Sequence, residues 1–375
     1  MDFGFTKEQK LIKDSAGEIL ERELPTSRVK EIQESQTGFS RELWGTIVDA
    51  GWLGIVFPEA YGGHGMSLME LAVLYEECGK ALMPTVFYST ITGGLAILNG
   101  GTEEQKKRIL PDLANGSKLI TMAVTEPQAI YDFSYIKTSA EMLRGKYYLT
   151  GTKLFVQNTE TADYLLVAAR TSRDMDKYGI TLFLVDSKSK GITYERLNTF
   201  GLDPQSEVIL DSVEVEPENV IGGLATGRQI VDKTLEQATA LQCVEMLGGV
   251  QEVLRMTVNH VKHRVQFDRP IGSFQAVQHH LSKVSTNIEG ARYTSFQAVY
   301  FLCEDRPCAR EISMAKAWVS DAYKNATLIC HQLFGGVGYT LEYDLYLYSN
   351  RAKASEIWLG TRDYHLQRLA DELGM

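Results

Sequence analysis

The sequence predicts an α+β fold in three consecutive parts: an N-terminal helical domain at residues 1–118, a small β-barrel or sandwich domain at 119–222, and a C-terminal domain resembling a four-helix bundle at 223–375. Apolar residues follow a helical period at both ends of the chain and a strand period in the middle. Helices and strands are grouped instead of alternating, which favours α+β over a parallel α/β fold. A chain of 375 residues is long enough to bury a large core in such parts.

The N-terminal segment contains three stretches typical of amphipathic helices. The first, TKEQKLIKDSAGEILERELP, is expected to end at Pro25, because proline cannot continue a helix. The second, SLMELAVLYEECGKAL, opens with Ser67 and has Glu70 three residues later, which is the pattern of a capping box. The third is GTEEQKKRILPDLANG. The glycine-rich FPEAYGGHG between the first two is expected to be a loop.

The middle segment contains short runs of β-branched and aromatic residues separated by turn residues. These runs are LITMAVTEP, KYYLTGTKLFV, DYLLVAAR, GITLFLVD, GITYERL and VILDSVEVEP. Runs spaced this closely favour a barrel or a sandwich.

The C-terminal segment returns to helical spacing, with Pro270 and Pro307 as its breaks. The stretch from Gly227 to about Arg264 is expected to form one very long helix, followed by helices in GSFQAVQHHLSKVSTNIEGARYTSFQAVYFLCED and SMAKAWVSDAYKNATLICHQLFGG. The sequence contains neither G-x-G-x-x-G nor a P-loop, so nothing in it supports a Rossmann or Walker nucleotide site.

Charge and composition exclude several classes of function. The formal net charge of −10 gives no electrostatic footprint for nucleic acid or for an anionic membrane. No apolar run is long enough for a membrane span, and the charged start MDFGFTKEQKLIKD is unlike a signal peptide. The five cysteines show no C-x-x-C spacing, so we expect no metal site, mostly buried thiols and a cytoplasmic location.

Three further stretches carry a resemblance that covers essentially the whole chain. They are AVTEPQAIYD at 123–132, HRVQFDRPIGSFQAVQHHL at 263–281, and QLFGGVGYTLEYDLYLYSNRAKASEIWLGTRDYHLQRLA at 332–370. In this order they resemble the acyl-CoA dehydrogenase family. The resemblance implies a tetramer that holds FAD between subunits and takes two hydrogens from an acyl-CoA thioester. A carboxylate removes the α-proton, and the β-hydrogen leaves as hydride to flavin N5. It also implies an electron-transfer flavoprotein as the acceptor.

The resemblance assigns one group of residues to the pyrophosphate and adenine of the cofactor. These are Arg264, Phe267, Gln275, Gln332, Gly335 and Gly336. Thr361 matches a threonine that the family places beside the cofactor. A cation suits a diphosphate, and glycines permit close backbone approach and positive φ. The alternatives are a solvated arginine at a helix end beside a core phenylalanine, and an ordinary glycine helix cap.

The resemblance is weaker on the flavin-ring side. Thr125 is kept, but the family's glycine-rich G-A-G-S-D is replaced by QAIYD at 128–132, of which only Asp132 matches. The family's Trp-Ile-Thr-Asn is replaced by Phe155, Val156, Gln157 and Asn158. Phe155 still provides an aromatic plate and Gln157 an amide donor, as the flavin ring would need. Alternatively, both are strand residues with no cofactor nearby.

The proton-abstracting carboxylate has no obvious residue. The family position that precedes Gly-Thr is Leu359, which cannot accept a proton, and an alternative position on the long helix aligns with Ala238. The candidate bases that remain are Glu236 and Glu245. Weaker candidates are Glu356, His331 and His365.

Four hypotheses follow from this pattern. The chain is the supporting subunit of a heteromeric FAD-dependent acyl-CoA dehydrogenase, completed by a catalytic paralogue; or it is a self-sufficient dehydrogenase whose base has moved. The third is a different flavin reaction on the same fold, and the fourth a flavin-free binding or scaffolding subunit. Some family branches with a similar GRDYH-like tail form assemblies of one catalytic and one degenerate chain.

Overall fold

The computed structural model describes residues 4–128, 131–172, 179–201 and 203–375. Six helices precede the strands: α1 (Lys7–Glu23), α2 (Thr26–Glu34), α3 (Arg41–Asp49), α4 (Leu68–Lys80), α5 (Thr85–Gly100) and α6 (Glu103–Ala114). The capping box expected at Ser67 is present, since its hydroxyl accepts the Met69 N–H at 3.1 Å while Glu70 accepts the Ser67 N–H at 3.0 Å. The loop expected at FPEAYGGHG contains one short 3₁₀ turn, Glu59–Tyr61.

The eight strands of the middle segment belong to one sheet. They are β1 (Ile120–Ala123), β2 (Ser139–Leu143), β3 (Lys146–Gln157), β4 (Tyr164–Arg170), β5 (Ile180–Asp186), β6 (Ile192–Leu197), β7 (Gln205–Val215) and β8 (Val220–Ile221). Their order is β6-β7-β3-β2-β4-β5-β8, and β1 pairs in parallel with β4. The rings of Tyr147 on β3 and Phe183 on β5 have centroids 5.1 Å apart although two strands lie between them, so the sheet curls over a shared core.

The remaining helices follow the sheet. They are α7 (Gly227–His263), α8 (Gln275–Cys303), α9 (Ala309–Phe334), α10 (Leu345–Ile357) and α11 (Arg362–Glu372), with a hairpin of β9 (Val265–Gln266) and β10 (Arg269–Pro270) after α7. The α+β prediction is confirmed, including α7 as one long helix. The sequence analysis named neither the strands β2 and β8 and the β9–β10 hairpin nor the helices α2, α3, α5, α10 and α11.

Contacts between residues divide the chain into two units. One comprises the chain through Val29 together with Ser67–Met83 and Glu236–Met375, and the other comprises Lys30–Met66 and Pro84–Leu235. The domain boundaries predicted at residues 118 and 222 stay a prediction.

In the first unit α4 and α7 touch through their backbones. A Cβ added at Gly79 of α4 would lie 1.9 Å from the Glu245 carbonyl oxygen, and one at Gly248 of α7 would lie 1.9 Å from the Glu76 carbonyl oxygen. Glycine is therefore required at both positions for this close approach. The helix α9 packs against α8, α10 and α11.

Three expectations from the sequence concern metal sites, the burial of thiols and membrane spans. Within the described ranges, no group of three or more His, Cys, Asp or Glu is arranged to hold a metal ion. All five cysteines are free, and every one except Cys303 is buried. Of the helices described, none is long and apolar enough to cross a bilayer.

Candidate functional site

Thr125, Phe155 and Gln157 lie near one another in the second unit. The Leu154 N–H donates to the Thr125 carbonyl at 2.9 Å, which holds the segment after β1 against β3. The pairing of β3 with β7 shifts register between Lys153 and Val156, and Phe155 has a φ of +56°. This bulge turns Phe155 outward, leaving it 58% exposed, while Gln157 is buried. Phe155 therefore presents an exposed ring, whereas Gln157 is enclosed.

The loop at 128–132 is described only in part. Residues 129 and 130, where the sequence differs from the family's glycine-rich loop, lie outside the described residues. Asp132, the one family match in this loop, has a carboxylate oxygen 3.5 Å from Arg228 Nη1.

Arg264, Phe267 and Gln275 surround the β9–β10 hairpin. The Arg264 N–H donates to the His260 carbonyl at 2.8 Å, and its carbonyl accepts from the Ile271 N–H at 2.9 Å, so the backbone is fixed while the side chain is exposed. Phe267 has a φ of +53° and is 85% exposed. Gln275, the first residue of α8, is also exposed. The hairpin thus holds a cation and an aromatic ring where a ligand can reach both.

Gln332, Gly335 and Gly336 lie at the end of α9. Gly335 has a φ of +69°, and a Cβ added at either glycine would meet nothing within 4 Å. Open glycine backbone of this kind fits a ligand that approaches closely, and Gly335 also serves as the helix cap. Thr361 caps α11, because its hydroxyl accepts the Tyr364 N–H at 3.3 Å.

The turn at Leu359 has an unusual backbone. Leu359 has a φ of +59° and the following Gly360 a φ of +110°, so a leucine stands in the left-handed region. The turn is held by His365, whose Nε2 donates to the Leu359 carbonyl at 2.9 Å. Such strain is concentrated at functional sites in proteins. The backbone of this turn motivates the hypothesis that it lies at a functional site, although Leu359 itself offers no carboxylate.

Comparison with known proteins shows which family the chain is related to. Models of the acyl-CoA dehydrogenase N-terminal, middle and C-terminal domains match residues 6–117, 121–213 and 225–374. An acyl-CoA dehydrogenase of Bacillus subtilis is 31% identical over 371 residues, covering 97% of both chains. The chain belongs to the acyl-CoA dehydrogenase family. Membership in this family and an FAD-dependent dehydrogenase among its solved relatives support FAD as the cofactor.

Two solved relatives of this acyl-CoA dehydrogenase family chain come from a study of an electron transferring flavoprotein and from a two-protein complex. A chain from a study of the electron transferring flavoprotein of Acidaminococcus fermentans is 31% identical, with a TM-score of 0.94 and coverage of 100% of this chain and 99% of that one. A chain of the ChsE4-ChsE5 complex from Mycobacterium tuberculosis is 27% identical, with a TM-score of 0.91 and coverage of 100% and 99%.

The exposed Arg264, Phe267 and glycine backbone fit the diphosphate and adenine of FAD, as an acyl-CoA dehydrogenase requires. When bound, FAD supplies the hydride acceptor for oxidation of a thioester. Arg264, Phe267 and the glycine backbone would hold it through their charge, aromatic surface and open approach.

The candidate bases in this chain differ in their surroundings. Ala238 is buried and carries no acidic group. Glu236 forms an ion pair with Arg368. Glu245 is only 3% exposed; burial raises the pKa of its carboxyl, against the opposing effects of Arg351, 3.7 Å away, and Lys316.

The weaker candidates are engaged in structural contacts. Glu356 accepts from Lys324 at 2.6 Å and from Lys353 at 2.9 Å; burial would raise the pKa of its carboxyl, but these lysines hold it below its ordinary value. His331 Nε2 lies 2.6 Å from Ser349 Oγ, and burial lowers the pKa of its imidazole. The contacts of Glu356 and of His331 do not favour either residue as the proton-abstracting base.

Sequence reasoning missed a buried ion pair beside the candidate flavin-ring residues. Lys153 Nζ lies 2.6 Å from Glu126 Oε1, and both side chains are buried. The available signal was the lysine inside the apolar strand pattern KLFV, where a charged side chain needs a buried partner.

The titration of buried His365 is expected to make the stability of the chain depend on pH. Burial lowers the pKa of its imidazole to about 4, below an ordinary value of 6.5, so between these values the unfolded chain binds more protons than the folded one. We expect stability to be complete above pH 6.5 and to fall by about 3 kcal/mol as the pH drops to 4.

The measurement is urea unfolding at a series of pH values for the chain and for His365→Gln, which keeps a donor toward Leu359. The difference between the two pH profiles isolates His365 from the other titrating groups. Parallel profiles across this range would show that His365 is not the source.

Proposed function

We propose that this chain is an FAD-binding subunit of a heteromeric acyl-CoA dehydrogenase, whose catalytic paralogue supplies the proton-abstracting carboxylate. The observation that carries the proposal is an asymmetry between two groups of residues. Arg264, Phe267 and Gly336 are open to a diphosphate and an adenine, whereas Leu359 and Ala238 stand at both positions where the family carries its base. A thioester α-proton needs a desolvated carboxylate, which neither side chain provides.

In this proposal, the chain completes the cofactor site of its paralogue. Adenine-side residues of one subunit serve the flavin held by another, so a subunit without its own base remains necessary to the assembly. Kinship with a chain of the ChsE4-ChsE5 complex supports a heteromer, and kinship with a chain from an electron-transferring-flavoprotein study supports such a flavoprotein as the acceptor.

The experiment is to purify the chain alone and together with a paralogue from the same genome that has glutamate at the position of Leu359 or Ala238. We expect little flavin and no activity in the chain alone, and one FAD per pair of chains in the assembly. An anaerobic acyl-CoA should bleach the flavin of the assembly. A chain that holds one FAD per copy and is bleached by acyl-CoA unaided would overturn the proposal.

A second candidate is a self-sufficient dehydrogenase in which Glu245 is the base. The observation that favours it is the buried carboxyl of Glu245 with its raised pKa. It requires the chain alone to be bleached by acyl-CoA, with bleaching abolished in Glu245→Gln and retained in Glu236→Gln. A colourless assembly with every paralogue would instead support a scaffolding role.

A further inference from the structure

The C-terminal end of α7 contacts the C-terminal end of α9 through aromatic rings. The imidazole of His260 on α7 lies on the ring of Phe334 on α9, with centroids 4.2 Å apart and an angle of 15° between the planes. The ring of Tyr343 stands edge-on to both, with its centroid 6.3 Å from that of His260 and 5.6 Å from that of Phe334. Contacts of this kind stabilise a pair of rings beyond the area that they bury. The three rings therefore join the two helix ends.

Both stacked rings are next to residues proposed to hold the cofactor. His260 lies one helical turn before Arg264, whose N–H donates to the His260 carbonyl at 2.8 Å. Phe334 is the last residue of α9 and is followed directly by Gly335 and Gly336. The stack is thus a direct contact between the segment that carries the proposed diphosphate residue and the segment that carries the adenine-side glycines.

The glycine segment is also held at its far end. It runs as a 3₁₀ turn, Gly335–Tyr339, and the ring of Tyr339 stacks on that of His331 with centroids 4.6 Å apart. His331 Nε2 lies 2.6 Å from Ser349 Oγ of α10, and this contact fixes the imidazole. The open glycine backbone therefore lies between two ring contacts, which hold it in place and leave its surface accessible to a ligand.

The imidazole of His260 contributes to this arrangement as a flat ring. Its Nε2 is buried and has no hydrogen-bond partner among the residues that the structure describes. Burial and the charge of Arg264 lower the pKa of the imidazole, so the ring is neutral at pH 7. A neutral ring with an unpaired buried nitrogen is held here by its contacts with Phe334 and Tyr343. A phenyl ring at this position would make the same contacts.

We propose that His260 is a positioning residue of the cofactor site, whose stack on Phe334 holds Arg264 and the glycine backbone at the spacing that one dinucleotide spans. FAD carries its diphosphate and its adenine in one molecule, so the groups that meet these two parts bind it best when their separation is fixed in advance. His260 acts through its neighbours and touches neither part of FAD. The inference rests on the part of the proposed function that assigns Arg264 and Gly336 to FAD, and it is independent of the heteromer.

The test is equilibrium dialysis against a series of FAD concentrations, using whichever form of the protein holds FAD, the assembly or the chain alone. We expect His260→Ala to weaken FAD binding about three- to tenfold, because the stacking contact is lost and the two binding groups are no longer held together. His260→Phe keeps the stack and should bind FAD within about twofold of the unchanged chain. The matched control is His263→Ala, which removes an exposed histidine next to Arg264 and should also stay within about twofold.

A double-mutant cycle separates positioning from a general loosening of the helix ends. In a chain that already carries Arg264→Ala, adding His260→Ala should weaken FAD binding by less than about twofold, because no guanidinium remains to be positioned. A general loosening would weaken binding by the same factor in both backgrounds. If His260→Ala does not fold, Phe334→Leu removes the other ring of the stack, and the same cycle is measured with it.

Three results would overturn the positioning role while leaving the proposed function intact: unchanged FAD affinity in His260→Ala, equal losses in His260→Ala and His260→Phe, or full additivity in the cycle. Unchanged affinity in Arg264→Ala would remove Arg264 from the cofactor site, and the positioning role with it. A protein that holds FAD in neither form would overturn both proposals. The supporting role in the heteromer is judged separately, by the flavin content of the assembly with its paralogue.

Discussion

Lys153→Met is expected to destabilise the protein by about 3–5 kcal/mol, because it leaves the Glu126 carboxylate buried and without its cation. Glu126 Oε1 accepts from Lys153 at 2.6 Å and from the Thr138 N–H at 3.0 Å, and Oε2 accepts from the Lys137 N–H at 2.7 Å. Burial would raise the pKa of this carboxyl, but Lys153 and these donors hold it below its ordinary value. The same burial lowers the pKa of the Lys153 ammonium to about 8.

The pair also positions the flavin-ring candidates. Glu126 directly follows Thr125, and Lys153 lies two residues before Phe155, so the ion pair joins the segments that carry both residues. Urea unfolding of Lys153→Met measures the loss. The double variant Lys153→Met/Glu126→Gln is the control, because it removes the unpaired charge and should recover much of the stability. A loss below about 1 kcal/mol in the single variant would show that the pair matters little.

The fold could be predicted from the sequence where the spacing of apolar residues and the length of the segment indicate the same kind of element. The strands β4 and β5 are almost wholly buried, and α7 keeps helical spacing over 37 residues without a break. The missed strands lack such a signal: β2 is mostly exposed, and the two strands of the hairpin after α7 have two exposed residues each. These strands are defined by hydrogen bonding to neighbouring strands, and the local sequence pattern cannot reveal that pairing.

The candidate site could be predicted only where a motif carries it. Arg264 and the glycines after α9 are candidates by resemblance, and in the structure they are exposed. The left-handed backbone of Leu359 is held by the contact from His365, and Gln242 of α7 is buried by the residues packed around it. A buried glutamine without a partner is indistinguishable in sequence from any other glutamine. These features arise from tertiary packing alone.

Arg264→Ala is expected to reduce the affinity of the assembled enzyme for flavin by roughly ten- to a hundredfold. A hydrogen bond to a charged group contributes about 1.5–3 kcal/mol, and the exposed guanidinium of Arg264 is the group proposed to meet the diphosphate. The proposal assigns this effect to the flavin of the paralogue, although the paralogue's sequence is unchanged. The measurement is the flavin absorbance per pair of chains after gel filtration.

Two further variants separate charge from geometry. Lys262→Ala removes the same charge two residues away, at another exposed position, and should change flavin content less than twofold if Arg264 makes a specific contact. Arg264→Lys keeps the charge but loses the planar fork, so it should restore only part of the affinity. Full flavin occupancy in Arg264→Ala would remove this residue from the cofactor site. Equal losses in Arg264→Ala and Lys262→Ala would indicate a general electrostatic effect, because a diphosphate held by one guanidinium depends on that side chain alone.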